Sequence, residues 1–205
     1  MASTGIISTS PGTIGIQWDH FINYMCDITK SVAYHGFKKI LIVDGHGSNL
    51  PLVDIVARRT IMETDTLCAS VIYTNLIVDI AKEIRESPIP GGMAHACELE
   101  TSMYWHVDPE RVQTDKFQKE MAVPPSQFIW HDLTNPSPVQ MMEWWSTFSH
   151  TGVLGDPTLA SQEKGARLYE VLIDRMVALV QELRSRPIRP RADLHQDQPV
   201  TPIGG

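Results

Sequence analysis

Two short stretches carry residue types suited to chemistry. The first is Asp-Gly-His-Gly-Ser-Asn at residues 44–49, directly after the apolar run at 39–43. The second is Gly-Gly-Met-Ala-His-Ala-Cys-Glu-Leu-Glu-Thr-Ser at residues 91–102, where His95, Glu98 and Glu100 fall within six residues. Imidazole and carboxylate together suit a divalent metal, and a catalytic metal keeps one position open for a water whose pKa it lowers. With the second stretch helical, His95 and Glu98 share a face, as two ligands or as a ligand and a proton donor. Glu100 then points elsewhere and orients a neighbour. Each feature alone has a plainer reading: a histidine between glycines is a turn residue, and glutamates on a helix form a solvated or paired face. A histidine between glycines and a second one shortly after a Gly-Gly turn, both with carboxylates nearby, tip the balance towards a site.

The elements that must position these groups can be read from periodicity. Residues 39–43 and 66–73 are β-branched and apolar enough for buried strands, and 50–62 has helical spacing between them. Strand, glycine turn, helix, strand is a βαβ unit, which implies a parallel sheet covered by helices. Ligands of such sheets sit beyond the carboxyl ends of the strands, where His46 lies. Asp44 either orients His46 or caps the turn. Residues 17–34, 75–85 and 158–184 read as further helices, 93–106 has helical composition, and 3–10 is a short strand or loop. Residues 113–157 are rich in Pro, Ser and aromatics, with a short helix at 141–148. Trp130, Trp144 and Trp145 there are core residues or the wall of a small-molecule pocket. Residues 1–186 are expected to form one domain, and 187–205 a Pro-rich tail, disordered or laid over a neighbour.

Bulk properties exclude several classes. The net charge is −7, with no dense Lys/Arg block, which argues against nucleic acid or an anionic membrane as partner. No apolar run approaches membrane-spanning length and the N-terminus lacks a basic region followed by an apolar one, so a soluble, cytoplasmic protein is expected. Cys26, Cys68 and Cys97 are too scattered for a disulfide framework or paired zinc ligands. No G-x-S-x-G, P-loop or G-x-G-x-x-G pattern occurs. His20, His106, His131, His150 and His195 lack a setting like that of His46 or His95.

Taken in order, "VDGHGSN", "GGMAHACELETS" and "GVLGDPTLASQEKGARL" resemble motifs of the creatininase family, as does "TGIISTSPGT" near the N-terminus. Asp44, Ser48, Met93-Ala94 and Cys97 are departures from the family pattern. The resemblance implies an α/β fold, a three-layer α/β/α sandwich with a mainly parallel sheet, usually assembled as a homo-oligomeric hexamer. It also implies two divalent ions per site, zinc or manganese, and a bridging water that attacks the carbonyl carbon of a small amide or cyclic amide substrate. Carried over, His46 is a metal ligand and Glu98 the metal-binding carboxylate. His95 is the general acid for the departing nitrogen, and Glu100 a supporting candidate. The family's N-terminal Glu-x-His-Gly-x-His-Leu-Pro motif is absent, so the expectation is a creatininase-like domain lacking the N-terminal strands, as a fragment or a natural shortening. His46 and Glu98 alone fall short of the roughly three protein ligands a catalytic metal takes. Two readings therefore compete: a metal-dependent amidohydrolase, or a non-catalytic or truncated relative that keeps the fold and oligomer contacts without a complete dinuclear site. A small-molecule binding module without metal is a third.

Overall fold

The computed structural model describes residues 11–192 and residue 194. Helix α1, Trp18–Tyr34, buries Phe21, Ile22, Cys26 and Thr29, the three- to four-residue spacing of one helical stripe. Strand β1, Lys39–Asp44, and strand β2, Leu67–Ile72, pair in parallel from Lys39 opposite Leu67 to Asp44 opposite Ile72. Helix α2, Leu50–Glu63, makes the crossover between them and carries a proline in its first turn, where the lost N–H is not needed. Ile42, Val53, Val56, Ala57 and Cys68 join the α1 residues in one core, so α1 and α2 cover one face of the pair. This is the βαβ unit and the α/β class expected from the pattern.

The second half builds a separate core. It comprises helix α3 (Val78–Ile84), strand β3 (Met93–His95), helix α4 (Glu98–Val107), strand β4 (Leu154–Gly155) and helix α5 (Gln162–Ser185). Ile77, Ala81, Met93, Leu99, Met103 and Leu168 are nearly inaccessible and pack together. Helices α4 and α5 touch closely at Gly165, where an added Cβ would lie 2.0 Å from the Ser102 carbonyl oxygen. Ser161 starts α5 by accepting the Lys164 N–H, while its own N–H donates to Ser102 Oγ at 3.0 Å. Among the described residues no helix is long and apolar enough to cross a membrane.

Three expectations change. The stretch 93–106 is not one helix: Met93–His95 pair antiparallel with β4, Ala96 takes a left-handed φ of 45°, and only then does α4 begin. The chain reverses between His95 and Glu98, so the argument that they share a helical face does not hold. Residues 141–148 contain a single 3₁₀ turn, Trp145–Thr147, in place of a helix. Residues 75–85 give a 3₁₀ turn, Tyr73–Leu76, followed by the shorter α3. The short strand or loop expected at 3–10 lies outside the described residues, as does most of the tail. Arg191, at the start of that tail, donates to the Ile61 and Thr64 carbonyls at the C-terminal end of α2.

The irregular segment between α4 and β4 is held by a buried ion pair. Arg85 and Asp132 meet in a bidentate pair, Nη1–Oδ1 at 2.9 Å and Nη2–Oδ2 at 2.7 Å, with side-chain exposures of 1% and 0%. The remaining donors and acceptors are used by Thr134, Ser87, Pro88 and the Gly91 N–H. Removing one partner of such a pair leaves a charge buried alone, which costs about 3–5 kcal/mol. Arg85→Ala should therefore lower the urea-unfolding free energy by about that amount. A loss under about 1 kcal/mol, the range of an exposed pair, would show that water reaches Asp132.

Candidate functional site

Strand β1 delivers its last residues to one point. Asp44 is buried, and its Oδ1 accepts the His46 N–H at 3.1 Å, turning the chain at the strand end. His46 then opens the 3₁₀ turn Gly47–Asn49 that leads into α2, with the Asn49 N–H donating to its carbonyl at 2.9 Å. The flanking glycines are not forced by the backbone. Neither has a left-handed φ, and an added Cβ would meet nothing within 4 Å at Gly45 and only Ile72 Cδ1 at 3.8 Å at Gly47. The space beside them is open because both border a cavity.

His95 arrives at the same place from the end of β3. The His46 and His95 rings lie edge to face, with centroids 5.8 Å apart. Glu100, in the first turn of α4, folds back so that its Oε2 accepts the Ala96 N–H at 2.6 Å and stands 4.0 Å from His95 Nδ1. His95 packs in turn against the edge of Trp145 at 4.7 Å. His46, His95 and Glu100 thus converge, as the sequence suggested for the two histidines.

Glu98 does not join them. Its carboxylate is 1% exposed and turned to the other side of α4, where it accepts from Lys164 Nζ at 2.6 Å and the Ser87 and Glu86 N–H groups at 2.9 and 3.0 Å. Burial pushes its pKa up, but Lys164 and the Ser87 and Glu86 donors more than offset this, and the net shift is downward. The metal-ligand role expected for Glu98 therefore has no geometric support. Of the two glutamates, Glu100 is the one beside the histidines.

Electrostatics at the cluster are dominated by loss of water. Burial pushes the imidazoles of His46 and His95 towards the neutral form, and at His46 the proximity of His95 adds to it. Burial pushes Glu100 and Asp44 the other way, towards the protonated acid, against the Ala96 and His46 amides they accept from. His46 Nε2, Asp44 Oδ2 and Asn49 Oδ1 are enclosed without a hydrogen-bond partner, an arrangement that native structures rarely leave unexplained.

Two hollows meet at the cluster. One is a cavity of about 190 Å³ walled by Gly45, His46, His95, Trp130, His131 and Trp145, among others. The other is an apolar groove of about 900 Å³ running past Val43, Tyr104, Leu172 and Met176. Trp130 and Trp145 line the smaller cavity, while Trp144 is 59% exposed. His131 was passed over in the sequence because it lies in an irregular Pro- and aromatic-rich stretch, with no glycine turn before it and no strand end to place it. Its placement depends on the Arg85–Asp132 pair next to it.

Residues 2–180 match the family model for creatinine amidohydrolase, Creatininase. The chain belongs to the creatininase family. Among its relatives, a 3-dehydro-scyllo-inosose hydrolase of Thermotoga maritima is 25% identical over 195 residues, covering 86% of this chain and 60% of the relative. A mycofactocin precursor peptide peptidase of Mycobacterium tuberculosis is 24% identical over 181 residues, covering 86% and 61%. The chain thus spans about three-fifths of the length of these relatives. In structure it is similar to a Bacteroides fragilis protein named for creatinine amidohydrolase, with a TM-score of 0.73 at 24% identity over 92% of this chain and 71% of the other. A solved creatininase gives 0.66 at 20% identity, covering 86% and 68%. The creatininase fold expected from the motifs is therefore present.

The family's metal chemistry can be compared with the groups in place. An imidazole with an unpartnered Nε2 and nearby carboxylates suit a divalent ion. Yet no group of three or more His, Cys, Asp or Glu side chains among the described residues could hold a metal ion. These residues amount to part of a shell and do not make a metal centre by themselves.

The sign of one pH effect follows from burial. The folded-state pKa values of His46, His95 and His131 all lie below the ordinary 6.5. As pH falls through 6.5 the unfolded chain takes up protons that the folded chain refuses, so these groups make stability fall with pH. In NMR titrations the three imidazoles should remain mostly neutral at pH 6.5. The stability deficit at pH 5.5 relative to pH 7.5 should shrink when His46 is replaced by Gln. An imidazole at His46 or His95 half-protonated at or above pH 6.5 would contradict the burial argument.

Proposed function

We propose that the chain supplies the reacting cluster of a metal-dependent amidohydrolase that cleaves a C–N bond of a small amide or cyclic amide. The observation that carries this reading is the convergence of His46, His95 and Glu100 at the carboxyl end of a parallel strand in a creatininase-family chain. Zinc or manganese is the metal, in keeping with solved creatininases described as a Zn–Zn type and as a Mn form. Such an ion, when bound, supplies a water of lowered pKa as the nucleophile.

The chain's own groups divide the remaining work. His46 and Glu100 offer an imidazole and a carboxylate to the ion, and the rest of its shell comes from outside the described residues. His95 borders the cavity with its Nδ1 4.0 Å from Glu100, its ring packed between His46 and Trp145. Burial keeps His95 neutral at rest, so it can take up the proton released by the attacking water and, as the resulting strong acid, pass that proton to the departing nitrogen. Trp145 and the cavity wall keep bulk water from the reacting bond. Self-association into a homo-oligomer belongs to the same proposal, since α5 leaves Ile173 and Val177 more than half exposed.

One observation favours a second reading, a relative that keeps the fold without the chemistry: among the described residues no three His, Cys, Asp or Glu side chains are placed to hold one metal ion. Metal content of the purified chain, measured by plasma mass spectrometry without chelators or a His-tag, separates the two. Near two ions per chain with amide hydrolysis supports the enzyme. Near zero in a folded sample supports the second reading.

Within the enzyme, the two glutamates should behave differently. Glu100→Gln and His46→Ala should each reduce metal uptake and turnover by at least an order of magnitude, with unfolding little changed. Glu98→Gln breaks a buried pair with Lys164 and should cost roughly 3–5 kcal/mol of stability, and because that pair sets the rotation of α4 it should lower the kcat of the folded fraction, but by less than Glu100→Gln does. The reverse pattern, metal lost with Glu98 and kept without Glu100, would overturn the placement of the carboxylate.

A further inference from the structure

The wall of the small cavity opposite His46 comes from the segment between α4 and β4, to which the proposed reaction assigns no contact with substrate. Its aromatic rings form a continuous series. His95 packs on Trp145 at 4.7 Å, Trp145 on Phe148 at 6.1 Å, and Phe148 on His131 at 4.8 Å. His95, Trp145 and His131 all border the 190 Å³ cavity, with Phe148 buried behind them.

Two nitrogens in this series are left without partners. Trp145 is only 6% exposed, and its indole Nε1 is enclosed with no acceptor among the described residues; His131 Nε2 is enclosed in the same way. Leaving such a group unpaired costs about 1–3 kcal/mol. An indole N–H can only donate, so its missing partner is an acceptor such as a carbonyl oxygen; an imidazole nitrogen can serve either way.

The charges around the cavity narrow the ligand further. None of its lining residues is Lys or Arg. Its acidic residues are Glu100, held by the Ala96 amide, and Asp132, already neutralised by Arg85. Among the described residues the cavity therefore offers no fixed side-chain cation to a carboxylate or phosphate. At about 190 Å³ it lies below the roughly 300–1,000 Å³ of sites for drug-sized molecules, so its occupant is small.

We propose that Trp145 and His131 are substrate-contacting residues that select a small, uncharged amide, with the Trp145 indole N–H donating to its carbonyl oxygen and His131 Nε2 pairing with a second polar atom. The choice of an amide rests on the proposed function; the choice of an uncharged carbonyl compound rests on the cavity alone. The segment that bears both residues thereby sets specificity, apart from the strand-end cluster that would carry the reaction.

The test is binding by the intact 205-residue chain, read from the indole N–H resonances in ¹H–¹⁵N spectra. The Trp145 signal is the one missing from Trp145→Phe. In the chain freed of divalent ions, pyrrolidinone, a neutral cyclic amide, should shift that signal, and acetate at equal concentration should not. Trp145→Phe and His131→Gln should each weaken pyrrolidinone binding about 3- to 10-fold, the effect of one lost uncharged hydrogen bond, with the rest of the spectrum unchanged. The proposal is overturned if the Trp145 signal stays still, if acetate moves it equally, or if both folded variants bind as the wild type does. Because the readout is binding, loss of the hydrolase reading is seen separately: a Trp145 response without metal or turnover removes the enzyme and leaves this contact in place.

Discussion

The arrangement of the site depends on one buried charge. Glu98 is 1% exposed, and a carboxylate taken out of water is tolerable only if paired and hydrogen-bonded. Lys164 from α5 and the amides of Ser87 and Glu86 meet that need. Doing so fixes the rotation of α4 about its axis. With 3.6 residues per turn, a residue two positions on lies about 200° around the helix. Glu98 turned towards α5 therefore obliges Glu100 to face away from it, towards His95. The ion pair makes no contact with the reacting groups, yet the direction of Glu100 follows from it.

The same dependence explains what could be read from the sequence. The βαβ unit was legible because Ile40, Ile42, Val53, Val56 and Cys68 bury themselves with the period of their own elements, and the turn between them begins with an Asp that bonds two residues ahead. His46 at the strand end followed from that. The His95 stretch was misread because β3 is three residues long and its partner, β4, lies some sixty positions away. Local composition favours a helix through Met-Ala-His-Ala-Cys-Glu, and nothing nearby announces the pairing that overrides it. The left-handed turn falls on Ala96, a residue that gives no turn signal. The metal role of Glu98 came with the family resemblance, and the helical spacing from His95 that seemed to agree with it carries no meaning once His95 lies on a strand. Trp130 and Trp145 were readable as a wall in general terms, whereas His131 was not, since its position is set by a salt bridge across 47 residues.

The creatininase-family chain thus combines two kinds of order. At the carboxyl end of β1, hydrogen bonds of short sequence range place His46 and Asp44 within a regular sheet. Across the cavity, an irregular segment is held at a few points: the Arg85–Asp132 pair near its middle, and Glu120, which ties its first part to its last. Glu120 accepts from Ser149, His150 and Thr151, and although burial works against it these donors hold its pKa down to about 2. A carboxylate so held stays ionised throughout the neutral range, so the anchor does not loosen when the cavity histidines change charge.

Such a division has a physical consequence for how the family can vary. Changes in the irregular wall alter volume and hydrogen-bonding groups around the cavity, and its ties to the cluster run through β3, where the Leu133 N–H donates to the Met93 carbonyl and Trp145 packs on His95. Changes at Glu98 or Lys164, remote as they are from the cavity, rotate α4 and so move Glu100 directly. The residues most sensitive to substitution for the reaction need not line the cavity, and several that line it bear on selection alone. In this fold the distance of a side chain from the cavity is a weaker guide to its effect than whether it sets the angle of α4.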